Sequence, residues 1–192
     1  SFPNVEVIQG DVLGVDLSGA LGETSYRVVA NIPYYITSAV IRHLLELTAR
    51  PRSIALTIQK EVAERVCAKP GDLSLLALSV RIYGEPSYVM TIGKDAFHPA
   101  PKVDSAVVRI DLFDEPLVAG DRQDAFFRLI KAGFGQKRKT LRNSLSTGLR
   151  IDRAELERAF ETAGIDGMRR AETLSIAEWK SLQSALFGGC YS

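Results

Sequence analysis

Four consecutive residues, Asn31-Ile32-Pro33-Tyr34, carry groups that suit methylation of the exocyclic amine of adenine. This amine is a poor nucleophile, and its N–H groups must be held while the nitrogen becomes tetrahedral and positive. The Asn31 side-chain oxygen and the Ile32 carbonyl can accept these N–H groups and stabilise the developing charge. Pro33 fixes the backbone that presents the carbonyl, and Tyr34 offers a face for stacking an extruded base. Taken alone, the tetrapeptide suits an ordinary turn after a strand equally well.

A second chemically suggestive segment is the proline-rich stretch from Phe97 to Ser105. Pro99 and Pro101 make this stretch extended and stiff. Phe97 can supply the opposite face of a sandwich around a base, and Lys102 can reach a phosphate. For this segment alone, a plain proline-rich connector with Phe97 in the core is the commoner interpretation.

Charge is unevenly distributed along a chain whose formal net charge is +1. Residues 1–26 contain four acidic residues and no Lys or Arg. Residues 125–151 contain no acidic residue and seven basic ones: Arg128, Lys131, Lys137, Arg138, Lys139, Arg142 and Arg150. This asymmetry favours one face that binds a polyanion. A solvated basic helix is the ordinary alternative.

The composition excludes several classes of protein. The 192 residues are 46% hydrophobic and 24% charged, which is typical of a soluble globular protein, and no apolar run is long enough to predict a membrane span. We also find no pattern of a signal peptide. Cys67 and Cys190 match no metal-ligand spacing, so we expect no disulfide framework, no metal site and a reducing, cytoplasmic environment. His43 and His98 are the only histidines, so the sequence does not favour catalysis that depends on histidine.

The segments that position these groups alternate between strand and helix patterns up to about residue 112. Strands are predicted at 5–8, 26–30, 53–58, 88–92 and 105–112. Helical spacing predicts a helix that Thr37 or Ser38 caps, a second helix at 59–68, and a third helix, or alternatively a strand, at 73–83. This order favours a mainly parallel sheet with helices on its faces and one antiparallel edge.

The pattern changes after Pro116. Residues 121–187 show helical periodicity and no strand pattern. We therefore predict an α/β domain at residues 1–114 and a small helical domain at residues 115–192.

Five segments together resemble the KsgA-type rRNA adenine dimethyltransferases. They occur in the order found in that family, and although each is weak alone, the set is highly specific. The segments are Asn31–Ser38, Gln59–Arg65, Phe97–Ser105, Phe134–Leu145 and Arg170–Ser175.

The resemblance implies S-adenosylmethionine as methyl donor, a Rossmann-like domain and a helical RNA-binding domain. It also implies dimethylation of N6 of two adjacent adenines in a small-subunit (16S-type) rRNA hairpin during ribosome assembly. By the same resemblance, Asn31, Ile32 and Pro33 position the target amine, while Tyr34 and Phe97 stack the target base.

Further roles follow from the resemblance for the cofactor and for the RNA. Asp11 is implied to accept a hydrogen bond from the adenine amine of the cofactor, with Val12 and Asn31 beside it; an acid in a strand-end loop is the alternative for Asp11. Phosphate contacts would be made by Lys102, Arg128, Lys131, Lys137, Arg138, Lys139 and Arg142.

Two strand–helix units of the family pattern, including a Gly-rich cofactor turn, are not found in this sequence. In the family these strands lie beside the predicted strands 5–8 and 26–30, so we expect the first to lack neighbours and the second to have a bare edge. The expected fold class is therefore α/β: the C-terminal part of a Rossmann-like methyltransferase domain plus a small all-α domain. We expect this chain to be a truncated, inactive form without affinity for S-adenosylmethionine, and to self-associate through the bare edge.

Two other functions stay open. The chain can be a non-catalytic RNA-binding or ribosome-assembly module, or a large-subunit rRNA adenine methyltransferase of the macrolide-resistance type. The segments Lys102–Ser105 and Arg170–Glu172 favour the small-subunit type.

Overall fold

The computed structural model describes residues 3–15 and 25–188. A four-stranded sheet is built from β1 (Arg27–Asn31), β2 (Ser53–Gln59), β3 (Gly84–Ile92) and β4 (Ser105–Leu112), in the order β1-β2-β4-β3. The β1–β2 pair is parallel, whereas β2–β4 and β3–β4 are antiparallel. Three of the four described strands, β1, β2 and β3, therefore run in the same direction, as expected for a mainly parallel sheet, and β4 alone runs against them. The reversal comes from the loop that joins β3 to β4, as expected, but β4 lies between β2 and β3 and not at an edge of the sheet.

Three helices accompany the sheet: α1 (Thr37–Glu46), α2 (Lys60–Val66) and α3 (Leu75–Arg81). The apolar positions predicted for α1 are buried, namely Val40, Ile41, Leu44 and Leu45. The predicted caps Thr37 and Ser38 are wrong, because a 3-10 turn leads directly into the helix and Thr37 is its first, buried residue. At 73–83, the helical interpretation is the correct one.

The part after residue 119 forms four further helices among the described residues: α4 (Gly120–Phe134), α5 (Leu141–Leu149), α6 (Arg153–Ala163) and α7 (Ile176–Phe187). Trp179 is fully buried, and its ring stacks on Phe134 with 6.0 Å between centroids. A Cβ at Gly133 would collide with the Trp179 ring, so glycine is what lets α4 approach α7 this closely.

The sheet part and the helical part share one continuous apolar core. The backbone N–H groups of Gly71 and Leu73 both donate to the carbonyl of Glu172, each at 3.2 Å. The backbone N–H of Leu117 donates to the Ile82 carbonyl at 2.7 Å. These bonds hold the C-terminal helices against the segments before and after α3. The predicted domain boundary between residues 114 and 115 stays a prediction.

The N-terminal segment differs most from the sequence-based prediction. Residues 3–14 are all exposed, and residues 5–8 form no strand. Val7, for example, is 87% exposed. A strand needs a hydrogen-bonded neighbour, and none of the four described strands pairs with this segment. The predicted bare edge is confirmed among the described strands, since β1 pairs with β2 alone and Val29 on it is 84% exposed.

Candidate active site and nucleic-acid interface

The Asn-Ile-Pro-Tyr segment lies directly at the carboxyl end of β1. Asn31 is the last residue of that strand and is exposed, whereas Ile32 is only 7% exposed and packs into the core. After Pro33, the 3-10 turn Tyr34–Ile36 begins, and the Ile36 N–H donates to the Pro33 carbonyl at 3.2 Å. In open α/β sheets, ligands bind beyond the carboxyl ends of strands, so this segment has the position that a reaction site requires.

Strand register brings the second predicted segment to the same edge of the sheet. Gln59, the last residue of β2, pairs with Ser105 at the start of β4, and Ser105 pairs in turn with Ile92 at the end of β3. The loop that carries Phe97 therefore leaves and re-enters the sheet at the edge where β1 ends in Asn31.

One side-chain hydrogen bond connects the two segments. The Tyr34 hydroxyl and the Ser105 Oγ are 2.7 Å apart, and Ser105 is completely buried. The half-buried Tyr34 ring is thereby fixed relative to the start of β4. Sequence reasoning assigned no role to Ser105, and only the strand register reveals it as the partner of Tyr34.

The loop with Phe97 is closed by Asp104. A carboxylate oxygen of Asp104 accepts the Lys94 N–H at 3.1 Å, and its carbonyl accepts the Lys60 N–H at 3.0 Å. Phe97 is half-buried, so one part of its ring is available to solvent and the connector interpretation with a buried phenylalanine does not hold.

A cavity of about 530 Å³ lies where the Asp104 loop meets the start of α2. Three lysines line it together with Glu61, Glu64 and Asp104: Lys60, Lys94 and Lys102. Lys102 was predicted to reach a phosphate, whereas Lys60 and Lys94 were missed. Lys94 and Lys102 belong to the loop between β3 and β4, whereas Lys60 is distant in sequence, and the pairing of β2 with β4 brings it to them.

The basic residues of α4 face a groove between the two parts of the molecule. Arg128 and Lys131 line this groove of about 800 Å³ with Arg42 of α1 and Arg65 of α2, and these four cations outnumber its two acidic residues, Glu46 and Asp124. The Arg128 guanidinium also lies over the Phe187 ring, 4.9 Å from its centroid. The groove thus extends the basic surface of the helical part onto the sheet part.

Lys137, Arg138 and Lys139 lie on a loop and not on a helix. The helix α4 ends at Phe134, and Arg138 adopts a left-handed backbone conformation with φ 68°. All three side chains are exposed. The alternative of a solvated basic helix is wrong for these three residues, because the chain turns between α4 and α5, and the three cations project from that turn.

Arg142 has an intramolecular partner. Its Nη2 donates to the Glu157 Oε2 at 2.9 Å, and its Nη1 contacts the Met168 sulfur at 3.5 Å. The half-buried guanidinium therefore joins α5 to α6. Its predicted contact with RNA stays a prediction, and the structure gives this arginine a stabilising role.

The residues predicted to hold the cofactor are not assembled in one place. Asp11 and Val12 lie in the exposed segment 3–14, outside the sheet that carries Asn31. The Asp11 carboxylate accepts the Leu13 N–H at 3.0 Å and so closes a local turn.

Metal-ligating side chains do not cluster within residues 3–15 and 25–188. None of the helices in these residues has both the length and the hydrophobicity of a membrane span.

Comparison with known proteins agrees with this arrangement. The family model described as "Ribosomal RNA adenine dimethylase" matches residues 1–186. A protein of Dehalococcoides mccartyi named "Ribosomal RNA small subunit methyltransferase A" is 47% identical over 182 residues, which is 94% of this chain and 62% of the relative. A protein of the same name from Alkaliphilus oremlandii is 42% identical over 193 residues, covering 97% and 67%. The chain thus spans about three fifths of the length of the Dehalococcoides mccartyi relative.

Solved structures show the same architecture. The 23S rRNA methyltransferase ErmE superposes with a TM-score of 0.72 at 28% identity, covering 96% of this chain and 72% of that one. A dimethyladenosine transferase from Plasmodium falciparum superposes with a TM-score of 0.79 at 24% identity, covering 94% and 72%. The predicted fold class is therefore confirmed as the Rossmann-like methyltransferase fold with a helical C-terminal part. Within that class, the chain belongs to the ribosomal RNA adenine dimethylase family.

Proposed function

We propose that this protein dimethylates N6 of two adjacent adenines in a small-subunit rRNA hairpin during ribosome assembly. The family match and the names of the relatives at 40–47% identity support this reaction. The observation that carries it is the position of Asn31 and Ile32 at the carboxyl end of β1, with the Tyr34 ring fixed beside them by Ser105.

In this proposal the chain's own residues hold the adenine. The Asn31 side chain and the Ile32 carbonyl accept the two N–H groups of the target amine, so their dipoles stabilise the positive charge that develops on nitrogen. The buried Ile32 side chain and Pro33 keep this carbonyl in place. Tyr34 and Phe97 stack on the two faces of the extruded base. S-adenosylmethionine would supply the methyl group.

The rRNA is the proposed partner, and the cytoplasm is the proposed location. The exposed loop cations Lys137, Arg138 and Lys139 would contact phosphates without reading sequence, and Arg128 and Lys131 would extend this contact along the groove. Lys102 would neutralise a phosphate near the target nucleotide. We further propose that the bare edge of β1 allows non-native pairing between copies of this chain.

The proposed reaction is tested with isolated ribosomal subunits that lack adenine methylation. Small and large subunits are incubated separately with isotope-labelled S-adenosylmethionine, and N6,N6-dimethyladenosine is quantified by mass spectrometry. Because the chain spans about three fifths of the length of the Dehalococcoides mccartyi relative, the assay also uses a chimera in which the chain replaces the matched region of that relative. We expect the chimera to modify small subunits and to leave large subunits unmodified.

In the same chimera, Asn31→Ala is expected to lower the rate by roughly 100-fold or more, as removal of one transition-state hydrogen bond does elsewhere. Its RNA affinity should stay unchanged. Asn4→Ala, at an exposed asparagine outside the sheet, is the matched control and should be fully active. Product on large subunits alone would instead favour the activity named for ErmE, and a fully active Asn31→Ala chimera would contradict the Asn31 role. RNA binding without transfer by the chimera would favour the assembly-module function.

A further inference from the structure

Tyr35 is an exposed aromatic residue beside the proposed base-binding site. It is 88% exposed, although the residues on either side of it are half-buried. Five of the six tyrosines lie in the described part of the chain, and there only the Tyr35 hydroxyl lacks a hydrogen-bond partner. The other four hydroxyls bond to Ala49, Ser105, Gln123 and Thr91.

The exposure of Tyr35 follows from the local backbone. Tyr35 is the middle residue of the 3-10 turn Tyr34–Ile36, and such a turn has three residues per revolution, so successive side chains point about 120° apart. Tyr34 points towards Ser105 and Ile36 packs against the core, which leaves solvent as the direction for Tyr35.

The ring of Tyr35 stands on a rigid base. The Ile36 N–H donates to the Pro33 carbonyl, and the Thr37 N–H donates to the Tyr34 carbonyl. The turn then continues into α1, where Thr37 is buried. A tyrosine on a fixed backbone loses only two side-chain torsions when it is covered, which makes it a favourable contact residue.

The surroundings of this edge favour a nucleotide as the group that covers the ring. Tyr35 directly follows Tyr34, the proposed stacking residue, at the carboxyl end of β1, so a base held by Tyr34 brings the next nucleotide of the same strand to this surface. The lysines of the cavity at the same edge are matched by three carboxylates, so the position of the ring and not the local charge carries the argument. Exposed aromatic rings are the usual stacking platforms for unpaired bases, because every base has a face that can stack.

We propose that Tyr35 stacks on a nucleotide adjacent to the target adenine, namely the second of the two adenines. This inference rests on the proposed function. An adenine that leaves its stack to enter the pocket of Tyr34 deprives its neighbour of a stacking partner. Tyr35 replaces that lost partner, and the two consecutive tyrosines hold two consecutive bases.

The test measures binding of the 192-residue chain to two RNAs: a hairpin with two adjacent adenines in its loop, and a duplex of equal charge without a loop. In a second form of the hairpin, 2-aminopurine replaces the second adenine, so that stacking of Tyr35 on this base is measured as quenching of its fluorescence. Tyr35→Ala and Tyr35→Leu should lower affinity for the hairpin about 5- to 150-fold, the range for loss of one base–aromatic stack. Neither should change affinity for the duplex, and Tyr35→Phe should bind both RNAs as the unaltered chain does.

The matched control is Val29→Ala, which also removes a highly exposed apolar side chain, on the strand that leads to the site. It should leave both affinities and the fluorescence unchanged. Equal hairpin affinity and equal quenching for Tyr35→Ala and the unaltered chain would overturn the inference alone. An equal loss of affinity for both RNAs would also overturn the inference, since stacking on an unpaired base cannot explain weaker binding to the duplex. If the unaltered chain bound neither RNA, the proposed function would fail together with it.

Discussion

The Tyr34 ring is held by one hydrogen bond between side chains that lie 71 residues apart in sequence. Tyr34→Phe keeps the ring and removes the hydroxyl, leaving the buried Ser105 oxygen without this partner. We expect the free energy of unfolding to fall by about 0.5–1.5 kcal/mol, the net value of a typical hydrogen bond. Urea denaturation measures this change.

Adding Ser105→Ala to Tyr34→Phe completes a double-mutant cycle. The cycle isolates the free energy of this hydrogen bond from the other effects of the Tyr34 substitution. Once the Tyr34 hydroxyl is gone, removing the Ser105 hydroxyl should cost little more, because no hydrogen bond remains to be broken. Additive losses in the double variant would show that the two hydroxyls do not act as a pair.

At the scale of elements, local patterns predicted most of the fold correctly. The strands 26–30, 53–58 and 105–112 and the helices from α1 to α7 follow from apolar spacing that each segment carries within itself. The segment 5–8 has an equally good strand pattern but lacks a neighbour, which no local pattern reports.

The candidate site was predictable where its residues are contiguous in sequence, and not where they are grouped by strand pairing. Asn31 and Ile32 were identified because the tetrapeptide is contiguous and directly follows a strand. Ser105, Lys60 and Lys94 were not predicted as part of the site, because their position depends on the register between β2, β4 and β3. The pairing of Arg142 with Glu157 was not predicted, because the two residues lie on different helices.

The start of α7 gives a prediction about pH. The Ser175 hydroxyl and the Glu178 carboxylate cap this helix reciprocally, and Arg169 also pairs with Glu178. The hydrogen bond from Arg169 lowers the pKa of Glu178 below the ordinary value of a glutamate, and hydrogen bonds from Ser175 act in the same direction. A lowered pKa in the folded state adds stability that is present above the unfolded pKa and is lost as the pH falls through the folded one.

We therefore expect the unfolding free energy of the unaltered chain to decrease below about pH 4.5 more steeply than that of Glu178→Gln. Thermal denaturation at a series of pH values measures both slopes. Glu161→Gln, at an exposed glutamate of α6, is the control and should retain the steep profile. Parallel pH profiles for the unaltered chain and Glu178→Gln would show that the Glu178 carboxylate does not cause the loss of stability at low pH.

At the scale of the whole molecule, a net charge of +1 does not by itself attract a polyanion, so binding to RNA depends on where the charges lie. The loop with Lys137, Arg138 and Lys139 concentrates three exposed cations at one end of α4. Each phosphate contact adds about 0.7–0.9 to the slope of log affinity against log salt concentration. Replacing all three by Ala should therefore reduce this slope by roughly two to three, as measured by a salt titration.

The control for this prediction changes the net charge equally at a different place. Arg153, Arg158 and Lys180 are exposed cations of α6 and α7, and replacing them by Ala also removes three positive charges. If RNA contacts the loop directly, the control should keep the original slope, because counterions are released only where phosphates are neutralised. An equal reduction in both triple variants would instead show that RNA senses the overall charge and makes no local contact with the loop.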